Sequence, residues 1–313
     1  MQTADTVSPV AVSLAEHAPS SLWRDALRHM LHKRSALVGM VILGTLLLVA
    51  IFAPLIATHD PTQVLLGSEA GVKKRMPPCI HILGCPADEP QHILGTDGNV
   101  RDFFSRIVYG SRVSLFIGLS TVSLAIVTGT VLGAVAGYAG GWADNVIMRF
   151  MDVLLAFPAL LLAIAIVTVL GPGLINVLLA ISIVSIPAYA RVVRASVLSI
   201  KEQDFVTADR ALGVSSARIL FHRILPNALT PLIVRGTLGI ATAILDAAAL
   251  SFLGLGAQPP MAEWGSMLGA ERNQVFTAPH LVFFPGIAIT LTVLGFNLLG
   301  DGMRDALDPR LNR

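Results

Sequence analysis

Asp246 is the one carboxylate set well inside a long apolar stretch of this chain. A carboxylate in hydrocarbon costs about 2.5–3.5 kcal/mol on insertion scales, so it must face other helices or water. Two readings follow. Asp246 lines a path for a polar solute, or it is bonded to serine, threonine or backbone groups and fixes helix packing; packing is the working expectation. Cys79 and Cys85 stand six residues apart in one polar loop. Zinc would need four ligands, and although His81 and His92 are near, the spacing matches no zinc pattern, so no metal is expected. A disulfide closing a small loop and two free thiols stay open as alternatives. Asp144, Arg149 and Asp152 cluster further on, and Arg149 and Asp152, three apart on a helix, are expected to pair.

Other chemistry is missing. No Gly-x-x-x-x-Gly-Lys-Ser/Thr loop occurs, so no nucleotide phosphate is expected to bind this chain. Neither a Gly-x-Ser-x-Gly elbow nor a His-Glu-x-x-His pair is present. Gly254-Leu255-Gly256 is too short for a dinucleotide fingerprint, and none of the eight histidines lies deep in an apolar stretch. The chain reads as no enzyme by itself, with no cofactor of its own. Its 54% hydrophobic and 13% charged residues, with mean hydropathy +0.72, describe a membrane protein; soluble domains carry about 25% charge. Nucleic acid is not an expected partner, because the basic residues flank apolar spans rather than form a patch.

The elements that must position these groups are helices in lipid. Residues 1–34 read as a cytoplasmic tail, polar to residue 20 and without a cleavable signal peptide, followed by a basic amphipathic helix on the membrane surface. Residues 35–56 form the first span, uncharged from Ala36 and long enough to cross about 30 Å of hydrocarbon. Residues 57–112 are an extracytoplasmic loop with both cysteines. It closes on an interfacial helix whose Phe103, Phe104, Ile107 and Val108 oppose Arg101, Asp102 and Arg106. Residues 113–300 hold five further spans, at 113–143, 145–170, 174–194, 229–253 and 281–300, with Gly171-Pro172-Gly173 dividing two of them. Glycines 118, 129, 133 and 137 suggest close helix approach. Trp264 reads as an interfacial aromatic of a second external loop, and residues 301–313 as a cytoplasmic tail. The fold class is thus all-α, with six transmembrane helices. With both ends inside, 15 of the 22 lysines and arginines fall on the cytoplasmic side and 7 outside, as the positive-inside rule expects.

Residues 201–227 are the exception to this hydrophobicity. From Asp204, Phe205, Ala208 and Leu212 share one helical face, with Gln203, Thr207 and Arg210 on the others. Gly213 stops that helix. Ser215 or Ser216 can cap a second one, striped by Ala217, Leu220, Phe221 and Ile224, and Pro226 is expected to end it. Such a segment suits either a grip for another protein or a connector lying on the membrane.

The residues here resemble a known pattern. Ala208, Gly213, Ile224, Leu225 and Pro226 fall as in the "EAA" loop of ABC-importer membrane subunits, with Thr207 in place of the Glu and Asp209 in place of the second Ala, both departures expected on the exposed side. The run HILGTDGNVRDFFSRIVYGSRVSLFIG (His92 to Gly118) and DAAALSFLGLGAQPPMAEWGSML (Asp246 to Leu268) resemble motifs of the dipeptide/oligopeptide and nickel group of those permeases. So does Arg149-Phe150-Met151-Asp152 before Phe157-Pro158. Val100 stands where that group usually has glycine, Asp246 where it has Glu, and residues 67–89 look like an insertion. The resemblance implies a type I ABC-importer permease fold and a C-type subunit in a prokaryotic inner membrane. Its partners would be a second homologous permease, two cytosolic ATPase subunits that hold the ATP and Mg, and an external solute-binding protein. It implies a cargo of di- or oligopeptides, with nickel or another small solute as the alternative. It also implies an ATPase-coupling loop using Asp204, Phe205, Thr207, Ala208, Asp209, Leu212, Gly213, Leu225 and Pro226, and a path or gate at Asp246, Ser251 and Phe252. A self-sufficient secondary transporter would call for an inverted repeat and several intramembrane charges, which are not evident.

Overall fold

The computed structural model describes Leu31 and residues 33–307. Nearly all of the expected amphipathic helix, and the last residues of the tail, lie outside these. Among the described residues every regular element is helical. Helix α1 (Arg34–Ile51) ends at Phe52, and one further turn, Ala53–Ile56, carries proline in its first turn, where the missing N–H costs nothing. Among the described residues five helices are long and apolar enough to cross a membrane, and a bent pair makes up to six.

Helix α2 (Phe103–Ala139) runs unbroken for 37 residues. The expected interfacial helix is therefore the head of the second span and no separate element. Asp102 starts it, its carboxylate accepting from Ser105 N at 2.8 Å, and this cap satisfies one of the helix's orphan N–H groups. Arg101, Asp102 and Arg106, expected on a solvated face, are all buried. Each is held by partners from other segments or from its own turn, as described below.

Helices α3 (Gly141–Leu155) and α4 (Ala159–Leu170) replace the single span expected over 145–170, meeting at 92°. Pro158 explains the break, because it lacks an N–H and restricts Phe157 away from the helical region. The expected Arg149–Asp152 pair does not form. Asp152 accepts from Arg191 at 2.6 Å, and Asp144 from Arg194 at 2.6 Å, so both carboxylates tie α3 to α5.

Helix α5 (Leu174–Lys201) packs most extensively on α2. Small residues permit it: a Cβ on Gly129 would lie 2.7 Å from Tyr189 Cβ, and one on Gly137 would lie 3.0 Å from Arg194 O. Helix–helix association in lipid rests on such close contact. Lys201 Nζ donates to Gly137 O at 3.1 Å, joining the ends of both helices.

Then follow α6 (Asp204–Ala211), a single turn at Ser216–Ile219, a π-helical turn (Leu220–Ile224), and α7 (Leu225–Phe252). Pro226 does not end a helix. The wide π turn lets it sit in the first turn of α7, where no N–H is required of it, so the chain continues helical from Ser216 to Phe252. Helix α8 (Trp264–Glu271) and α9 (His280–Leu307) complete the chain. Lys33 and Asp305 pair at 3.2 Å, placing the start of α1 and the end of α9 at the same end of the bundle.

Trp264 is fully buried rather than interfacial. Its indole Nε1 donates to Ile107 O at 3.0 Å, over Gly110, where a Cβ would come within 2.7 Å of the ring. The external loop has its own small core of Leu65, Val72, Met76 and Val100. Cys79 and Cys85 form a disulfide within it.

Candidate functional site

Two regions stand at opposite ends of α2, which at 1.5 Å per residue separates them by about 50 Å. The first is the segment 201–227. Its inner side is fixed by Val206, Ile219 and Ile224, each fully buried in the core formed with α2 and α5. The expected stripe Ala217, Leu220, Phe221 and Ile224 is thus corrected: Ile219 and Ile224 point inward, while Ala217 and Phe221 face out. The hinge is a Schellman cap. Gly213 adopts φ +77°, its N–H bonds Arg210 O at 3.0 Å, and Val214 N bonds Asp209 O at 3.0 Å. Ser215 takes the cap position of the next turn, with no side-chain hydrogen bond to it.

The outer side is apolar. Phe205, Leu212 and Phe221 are 40%, 81% and 62% exposed, and Ala208, Thr207, Asp204 and Pro226 lie exposed among them. Leu225 is half-buried against the core. Asp209 departs from its expected exposure. It is half-buried and accepts from Arg223 Nε at 2.9 Å, so α6 is tied across the hinge to the π turn. Sequence reading missed Arg223, although the paired departure from small residue to carboxylate was the available signal.

The second region joins the two motif runs. Asp97 accepts from Arg101 Nε at 2.8 Å, while Arg106 donates to Pro61 O at 2.8 Å and Pro260 O at 3.1 Å. Arg75 Nε donates to Glu271 Oε2 at 2.9 Å, and Gly98 N donates to Glu271 Oε1 at 2.8 Å. Buried guanidinium and carboxylate groups are tolerable only when paired in this way. Glu263 caps α8 by accepting from Gly265 N and Ser266 N at 2.8 and 2.7 Å, while burial pushes its carboxyl up. Ser251 and Phe252 belong here. Ser251 is buried with its hydroxyl accepting from Ala257 N, and Phe252 lies beneath the Arg272 guanidinium, 6.0 Å from its ring centre.

Asp246 lies apart from Ser251 and Phe252. Half-buried on α7, it lines a cavity of about 110 Å³ with Ser185, Tyr189, Arg235 and Thr242. Among the described residues it makes no hydrogen bond or ion pair. The serine, threonine or backbone partners required by the packing expectation are not there. Arg235, which sequence reading did not single out, gives the same cavity a cation eleven residues earlier on the helix.

Known proteins resemble this chain in sequence and in fold. Residues 129–313 match the family model described as "Binding-protein-dependent transport system inner membrane component", and residues 21–78 match "N-terminal TM domain of oligopeptide transport permease C". The chain is 48% identical to the dipeptide transport system permease protein DppC of Alkalihalophilus pseudofirmus, over 95% of this chain and 92% of that protein. It is 47% identical to the di/tripeptide permease DppC of Pseudomonas aeruginosa, over 90% and 89%. It is 52% identical to the glutathione permease GsiD of Pectobacterium atrosepticum, over 70% and 73%. In fold it is similar to a chain of the inward-facing MetNI methionine ABC transporter, with TM-score 0.53 and 18% identity over 66% of this chain and 97% of that one. The fold is that of a type I ABC importer permease, and the chain belongs to the family of binding-protein-dependent transport system inner membrane components.

Proposed function

We propose that this chain is the C-type half of a permease heterodimer that imports di- and oligopeptides delivered by an external solute-binding protein. Two cytosolic ATPase subunits, which hold the ATP and Mg, drive it. The observation that carries the reading is the build of segment 201–227: a rigid inner side of Val206, Ile219 and Ile224 beneath an apolar outer side of Phe205, Leu212 and Phe221. Such a segment can be pushed as one body and can pass that motion into the end of α5 at Lys201. ATP shifts the permease only through differential fit: the closed ATPase pair must bind one state of the permease better than the other.

Peptide cargo is supported by the relatives named for dipeptides, di- and tripeptides and glutathione. A zwitterionic peptide needs both signs of charge along its way. Asp246 and Arg235, open on one cavity and unpaired with each other, would offer them in turn. The cytoplasmic face is assigned to segment 201–227 and to both chain ends by the charge bias.

The test is reconstitution in vesicles with the second permease, both ATPases and the binding protein. ATP-dependent uptake of a labelled dipeptide is expected, and it should vanish without the binding protein. Uptake by this chain alone along an ion gradient would refute the proposal.

A further inference from the structure

The external loop brings two histidines and two carboxylates together at the head of α2. His92 is 1% exposed, and its Nδ1 lies 2.8 Å from Asp102 Oδ1. A carboxylate accepts only, so Nδ1 carries a proton, and in the neutral ring Nε2 presents a lone pair. That buried Nε2 has no hydrogen-bond partner. What it faces is Glu69 Oε2, 3.6 Å away, another acceptor.

His59 is held in the same tautomer. Thr58 Oγ1 donates to Asp102 Oδ2 at 3.2 Å, which leaves its oxygen to accept from His59 Nδ1 at 3.0 Å. The Nε2 of His59 is then also a lone pair, and it lies 3.8 Å from the same Glu69 oxygen. The two rings stand side by side, 5.1 Å between centres. With both rings neutral, Glu69 Oε2 faces two imidazole lone pairs and no donor. Left so, they repel.

We propose that His59, His92 and Glu69 bind a divalent transition-metal cation, Zn²⁺ being the ion that fits, with Asp102 as the residue that orients His92. Zn–N bonds of about 2.0–2.1 Å and Zn–O bonds of about 2.0–2.2 Å place tetrahedral ligands about 3.3–3.5 Å apart. The distances of 3.6 and 3.8 Å from Glu69 are close to that before any adjustment. Imidazole nitrogens select this class of metal over Ca²⁺ and Mg²⁺, which take oxygen ligands. Asp102 also lies within reach of a metal, since it and the two histidines place ligand-type atoms within 4.8 Å of one another. Its oxygens are engaged, however, by His92 Nδ1, Thr58 Oγ1, Ser105 N and Ser105 Oγ. A carboxylate on the far nitrogen of a ligating histidine fixes ring and tautomer, as metal sites commonly require. Water would complete the coordination on the open side, where His59 and Glu69 are 26% and 33% exposed.

The ion would clamp three stretches of the external loop, around residues 59, 69 and 92, onto the first turn of α2. It is separate from the Cys79–Cys85 disulfide and does not depend on what the permease carries. Sequence spacing could not find the site, because His59 and Glu69 lie 33 and 23 residues before His92 and only the loop's fold joins them.

The test uses the full-length chain purified with its co-expressed partner subunits, stripped with chelator and titrated with Zn²⁺ against a chromophoric competitor. One equivalent per chain is expected. Glu69→Gln and His59→Gln should each weaken it by at least about 10-fold, and His81→Gln should not. Both positions are partly exposed, so the variants should elute and melt as the stripped wild type does. Absence of a stoichiometric Zn²⁺ would overturn the proposal. So would wild-type affinity in both variants, or histidines that bind protons but no metal.

Discussion

Gly213→Leu should cut ATP-driven uptake without preventing membrane insertion. Gly213 holds φ +77° at the end of α6, and no heavy atom lies within 4 Å of where a Cβ would stand. A side chain there meets no steric neighbour, so the whole penalty is conformational. For an L residue in the left-handed region it is about 1–2 kcal/mol. At 1.4 kcal/mol per factor of ten, the Schellman cap would be populated about 5- to 30-fold less against alternative hinge conformations. The bonds at stake are Gly213 N to Arg210 O and Val214 N to Asp209 O. Their loss would let α6 swing relative to the anchored turn at Ile219. Gly213→Asn is the control, because asparagine tolerates this backbone region better than leucine. The assay compares both variants in proteoliposomes, by peptide uptake and by binding-protein-stimulated ATP hydrolysis. We expect Leu to lose activity in both, by up to about 30-fold, and Asn to keep most of each. Wild-type uptake by the Leu variant would refute the hinge argument, as would an Asn variant equally impaired.

Asp246→Asn should assemble normally and transport poorly, since Asp246 has no partner to lose and only its charge is removed; a Western blot of the assembled complex and an uptake assay separate the two outcomes. Val100 sits at φ +60° and is fully buried among Leu65, Val72 and Met76. Val100→Gly should release about 1–2 kcal/mol of backbone strain that Val100→Ala keeps, more than the ~0.8 kcal/mol of burial that separates alanine from glycine. It should therefore melt no lower than Val100→Ala, the reverse of the order seen at ordinary buried positions. Cys79 and Cys85 should resist a membrane-impermeant thiol reagent on intact cells until an external reductant opens the disulfide. Labelling confined to inverted vesicles would reverse the topology.

The sequence signals that proved reliable were those with one physical cause. Gly213 stops α6 because only glycine fits its conformation easily, and Gly129 and Gly137 mark the α2–α5 contact because a Cβ there has no room. Proline was ambiguous. At Pro158 it breaks a span; at Pro226 a π turn absorbs it and the helix continues, a choice decided by neighbouring packing of Ile219 and Ile224. Charged residues were misplaced wherever their partners came from afar. Arg101 and Arg106 read as a solvated face, yet they bond Asp97 and the carbonyls of Pro61 and Pro260. Trp264 reads as interfacial because no local pattern announces Gly110 and Ile107 as its floor.

Coupling requires that Phe205, Leu212 and Phe221 be the surface that an ATPase subunit covers. The direct measurement places a single cysteine at Leu212→Cys, bearing a photoactivatable cross-linker, in the co-expressed complex. The native cysteines are closed as a disulfide and stay silent. The account predicts a cross-linked adduct between this chain and an ATPase subunit, at higher yield when non-hydrolysable ATP closes the ATPases. An intact complex that gives an adduct only with lipid, and none with the ATPase, would contradict it.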